Sequence, residues 1–125
     1  VTETKGLKQW SFDVYDTAAS KGWHTSDTTR PYRETIAVYF MNIHAEISEL
    51  WEAYRAGRLN EPCDKAEKMR AIGVKELTCL EEELADIVIR AFDSAYALGV
   101  DIEAAVEAKH AYNATRPQRH GGKLA

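Results

Sequence analysis

Glycine and proline are scarce in this chain, seven and three of 125 residues, and four long stretches between them carry apolar residues three and four apart. That spacing puts the apolar residues of each stretch on one face of an α-helix, where each residue advances by about 100°. The first predicted helix spans about Leu7 to Lys21, with Leu7, Trp10, Val14 and Ala18 on one face and Gly22 as its stop. The second spans about Glu34 to Ala56, with Ile36, Phe40, Ile43, Ile47, Leu50 and Tyr54 assigned inward and Gly57 ending it. The third spans about Lys75 to Leu98, with Leu77, Leu80, Leu84, Ile87, Ala91, Ala95 and Leu98 inward and Gly99 as C-cap. Asp101 caps a fourth, from Ile102 to about Thr115, before Pro117. No stretch shows a strand pattern, so the expected fold is an all-α four-helix bundle.

Length predicts one domain over 1–125. The polar stretch HTSDTTRPYR reads as a loop. Residues 57–75 form a connection long enough to hold a short helix, and its Lys65 reads as an ordinary surface lysine. Residues 117–125, with the Gly-rich HGGK, read as a flexible tail.

The chemistry is carried by acidic pairs. Relative to the stripe of Ile36, Ile43, Ile47 and Tyr54, Glu46 and Glu49 fall roughly 80–140° to one side, on the shoulder of the expected buried face. Glu83 and Asp86 take a similar shoulder on the third helix. Either pair alone reads as solvated surface charge, since Glu favours helices anyway. Two pairs on adjacent antiparallel helices can meet. Two such charges about 5 Å apart repel by roughly 3 kcal/mol at an effective dielectric near 20, so four call for a counter-charge. A hard divalent cation with oxygen ligands, Mg²⁺ or Mn²⁺, supplies it. Neither pair is the Glu-x-x-His of a di-iron bundle.

On the fourth helix the stripe of Ile102 and Val106 runs on into Lys109 and Asn113, with Arg116 one turn later. Lys109 either snorkels to the surface or aims its ammonium at the acidic site, where Arg116 can join it with bidentate geometry.

Composition narrows the partners. A net charge of −4 argues against a nucleic-acid polymer, which needs a basic surface. A small polyphosphate stays possible, because a bound metal reverses the local sign. No apolar run is long enough for a bilayer, no secretory leader is visible, and Cys63 and Cys79 form no zinc spacing. The expectation is a cytoplasmic protein with reduced thiols and no membrane partner.

EISE (46–49), ELAD (83–86) and KHAYN (109–113), followed by ATRPQRHGGK, resemble in order and spacing the MazG-like family of all-α nucleoside triphosphate pyrophosphohydrolases. The KGW segment before the first motif is also similar, and the likeness covers nearly the whole chain. It implies Glu46, Glu49, Glu83 and Asp86 as Mg²⁺ ligands. It implies Lys109, Asn113 and Arg116 as contacts to phosphates or sugar, and places Trp23 and His24 near the base. It also implies cleavage of a non-standard or surplus (deoxy)nucleoside triphosphate between the α and β phosphates, by a homodimer or homotetramer with sites completed across an interface. Glu49 is the chosen proton acceptor for the attacking water. A phosphoribosyl-ATP pyrophosphohydrolase and a non-enzymatic helical oligomerisation module are the rival readings.

Overall fold

A computed structural model describes residues 4–125. The chain is helical, with α1 at Leu7–Ser20, α2 at Tyr32–Arg55, α3 at Ala66–Ala71, α4 at Cys79–Ala97 and α5 at Ile102–Ala114. A four-residue helical turn, Arg119–Gly122, follows, with His120 and Gly121 in the left-handed region. Among the described residues no helix is long and apolar enough to cross a membrane.

The stops fall where the sequence puts them. Gly22 takes φ +87°, and the Trp23 N–H reaches back to Ala18 O at 3.1 Å, closing α1 in a Schellman motif that aims Trp23 and His24 across α4. Gly57 and Gly99 end α2 and α4 in the same way. Asp101 caps α5 by accepting from the Ala104 N–H at 3.1 Å.

The start of α4 differs from expectation. It begins at Cys79, because Thr78 and Glu81 form a reciprocal capping box. The preceding residues pair with the connection instead. The Cys63 N–H reaches Leu77 O and the Cys79 N–H reaches Glu61 O, both at 2.9 Å, and Pro62 bridges Thr78 antiparallel. The 57–75 connection is therefore a strap fastened to the α4 entry, and it contains the short α3.

Helix α4 is the centre of the molecule. Helices α1 and α2 both pack on it, α5 touches α1 and α4, and among the described residues α2 packs on no other helix. One chain is thus an open array around α4. Among the described residues the buried apolar ones are few, Tyr39, Ala53, Cys63, Ala66 and Ala95, and no large side chain is fully enclosed.

The face that α2 buries is a correction to the sequence reading. Thr35, Tyr39, Glu46 and Ala53 face inward. Phe40, Ile47 and Tyr54, assigned inward, are exposed, Tyr54 at 60%. On α4, Leu84 is also exposed. Apolar spacing identified a face of α2 but not its neighbour: among the described residues the helix packed on α2 is α4, and the side turned to α4 is the one carrying Glu46.

Candidate metal centre

Carboxylates from α2 and α4 meet at the seam between these helices. Glu46, Glu49 and Glu83 each offer an oxygen within 4.8 Å of the others. Glu46 is the deepest, at 8% exposure, while Glu49 is exposed and Glu83 half-buried. Asp86 stands at the edge, outside that 4.8 Å set but close enough to act on it. Burial and the charges of Glu49, Glu82 and Asp86 push Glu83 up to about 7. Asp86 is likewise raised, by burial first and then by Glu46 and Glu82. These are the marks of negative groups crowded together in partial isolation from water.

The protein supplies two cations of its own. Arg90 Nε donates to Glu46 Oε1 at 3.1 Å, and Lys65 hydrogen-bonds Glu82, which is only 6% exposed. Five carboxyl groups face these two cations, so full ionisation would leave a surplus of three negative charges, and the upward shifts of Glu83 and Asp86 reflect burial together with that excess. Two buried oxygens, Glu46 Oε2 and Glu83 Oε2, have no hydrogen-bond partner among the described residues. Buried carboxylate oxygens are costly unless paired or ligating. An all-oxygen donor set with unpartnered buried atoms fits a hard divalent cation.

Grooves flank the seam on both sides. One, of about 500 Å³, joins Glu46 and Asp86 to Trp10, Trp23, Arg90 and Asp93. The other, of about 430 Å³, joins Glu49 and Glu83 to Glu82, Lys65 and Arg58.

The remaining predicted residues fall in three places. Trp23 stands open at the first groove, with the Arg90 guanidinium 5.6 Å from its ring centre. His24 belongs to a polar knot beneath it. Its Nδ1 meets Asp27 and its Nε2 meets Asp93, both at 2.7 Å, and the Tyr39 hydroxyl donates to Asp27. Burial alone would lower the His24 pKa, but the hydrogen bonds to Asp27 and Asp93 outweigh it and raise the value. With both ring nitrogens engaged, His24 fastens the α1–α2 loop and offers no free nitrogen to a ligand. Lys109, Asn113 and Arg116 lie apart. Lys109 is exposed, and it and Arg116 sit over the ring of Tyr112, at 5.0 and 5.7 Å; Asn113 leaves its Oδ1 buried and unpartnered. None of the three lines either groove.

The sequence reading missed Lys65, Glu82, Arg90 and Asp93. Lys65, read as an ordinary surface lysine, is held against a buried carboxylate. Arg90 and Asp93 were legible in principle, lying four and seven residues after Asp86 on the same face of α4.

No protein-family model, curated protein or solved structure matches the chain.

Proposed function

We propose that the chain is a Mg²⁺-dependent nucleotide pyrophosphohydrolase, cleaving a (deoxy)nucleoside triphosphate between its α and β phosphates. The observation that carries this reading is the meeting of Glu46, Glu49 and Glu83 within 4.8 Å, with two buried oxygens lacking partners. The MazG-like resemblance of EISE, ELAD and KHAYN supplies the reaction.

Glu46, Glu49, Glu83 and Asp86 hold the cation, for which Mn²⁺ is the natural substitute. Bound there, it supplies charge neutralisation and alignment for the triphosphate, the main needs of phosphoryl transfer. The Arg90 bond fixes Glu46 and leaves its second oxygen for ligation. Glu49, the most exposed of the three clustered carboxylates, takes the proton of the attacking water. Trp23 provides a planar wall for the base beside Glu46 and Asp86.

The phosphate grip needs a second copy. Phe40, Met41, Ile47, Trp51 and Tyr54 leave the outer side of α2 apolar and exposed, and Leu84 and Val88 do the same on α4. Surfaces of this kind mark protein contacts. A symmetric dimer or dimer of dimers covers them, turns the open array into a bundle, and brings Lys109, Asn113 and Arg116 of one copy to the carboxylates of the other.

Pyrophosphate release from a panel of nucleoside triphosphates, with and without Mg²⁺, tests the reading. Turnover that requires the metal and disappears in both Glu49→Gln and Asp86→Asn, with helicity retained, is expected. Full activity in the two variants, or no release from any nucleotide, overturns it.

A further inference from the structure

We propose that Lys65 is a positioning residue of the metal centre, a cation at its rim that engages Glu82 and keeps a fifth carboxylate out of the ligand set. The inference rests on the metal-binding reading above and extends it to the strap.

Helix α4 enters the site with three consecutive glutamates, and their partners separate them. Glu81 is occupied by the Thr78 cap and by Lys75, whose Nζ lies 2.8 Å away. Glu83 faces Glu46 and Glu49. Glu82 has the same chemistry as Glu83 and lies close enough for its charge to act on both Glu83 and Asp86, yet it stands outside the clustered oxygens. Helix geometry turns Glu82 about 100° from Glu83, and Lys65, reaching it from the strap, holds its carboxylate there.

The strap delivers Lys65 with its backbone already ordered. The Cys63 N–H to Leu77 O and Leu80 N–H to Leu59 O bonds fasten it to the α4 entry, and Cys63 and Ala66 are buried on either side of the lysine. Little further entropy is lost in holding the ammonium on Glu82. The lysine itself stays 59% exposed along its side chain, so it remains a fixed charge at the rim of the second groove.

The consequence is selectivity. Mg²⁺ demands near-octahedral geometry and keeps several waters, whereas Ca²⁺ takes six to eight oxygens in looser arrangements. A freed Glu82 adds both a ligand and a negative charge, which favours Ca²⁺ and fills positions a triphosphate needs. Lys65 keeps the site suited to the smaller ion.

Calorimetric titration of Mg²⁺ and of Ca²⁺ into the full chain tests this, with metal-free thermal melts alongside. In Lys65→Met, Ca²⁺ binding tightens about tenfold and Mg²⁺ binding by less, in line with the dependence of affinity on ligand charge. Lys65→Arg behaves as wild type, and Lys65→Met with Glu82→Gln returns to wild-type affinities. Without metal, Lys65→Met melts below wild type, because Glu82 is left buried without a counter-charge, and Glu82→Gln reverses the loss. If Lys65→Met does not fold, Lys65→Gln serves in the same titrations. Unchanged or weaker binding in a folded Lys65 variant overturns the proposal while leaving the metal reading intact. A wild-type chain that binds neither cation overturns the metal reading, and the role of Lys65 falls with it.

Discussion

Arg90 and Glu46 form the one direct ion pair across the α2–α4 seam among the described residues, and it is lopsided: Arg90 engages Oε1, while the buried Oε2 has no partner. The guanidinium therefore does two things. It compensates a carboxylate that α2 turns inward, and it engages one oxygen of that carboxylate while leaving the other free. Arg90→Met is expected to destabilise the metal-free protein by about 2 kcal/mol, the scale of leaving a mostly buried charge uncompensated. Saturating Mg²⁺ is expected to recover more stability in this variant than in wild type. Urea unfolding with and without Mg²⁺ checks both; equal metal stabilisation in the two proteins would contradict the role.

The Glu83 carboxyl sets a pH dependence with a definite sign. Its folded value of about 7 lies above the ordinary carboxylate range, so between about 4.5 and 7 the folded state holds a proton that the unfolded chain has released. Stability of the metal-free protein must then fall as pH rises through that window. Glu83→Gln removes the effect. At pH 8 without metal this variant is expected to be more stable than wild type by about 1–2 kcal/mol, a value reduced for solvent screening, and the gap should close near pH 4. Thermal melts across the range decide it.

His24 acts in the same direction for a different reason. Its raised value comes from Asp27 and Asp93 overcoming burial, so the imidazolium stabilises the fold fully below about pH 6.5. That contribution is lost as pH rises through the raised folded value. His24→Ala leaves Asp93 buried without its partner and is expected to cost about 3 kcal/mol at pH 6, with a smaller loss at pH 9. Trp23 fluorescence, with Trp23→Phe as the blank, should report loosening of the loop. A variant as stable as wild type at both pH values would remove the knot from the account.

The outer face of α2 predicts assembly. Wild-type protein at micromolar concentration should sediment as a dimer or tetramer, and Trp51→Glu should shift it to monomer by placing a charge in the apolar patch. If the proposed assembly completes the site, the same variant should also lose most of its pyrophosphate release, because Lys109, Asn113 and Arg116 would no longer reach a neighbouring acidic centre. A fully active wild-type monomer would break this link.

Much of the architecture follows from local chemistry that the sequence displays. The glycines at 22, 57 and 99 end helices because the left-handed conformation costs them little, and Asp101 caps α5 because a carboxylate accepts an orphan amide. The acidic pairs were also legible, since a separation of three residues puts Glu46 with Glu49 and Glu83 with Asp86 on shared helix faces. What those faces meet is a tertiary matter. Apolar spacing marked Ile47 and Tyr54 as a buried stripe on α2, yet α4 packs on the side that carries Glu46, because periodicity defines a face without naming its neighbour. Lys65 and Glu82 lie 17 residues apart in sequence, and only the backbone bonds that tie the strap to the entry of α4 bring them together. Helix-local signals thus determined the elements and the charges they carry. Packing across α4 decided which charges meet, because ion pairing depends on distances that only the folded chain sets.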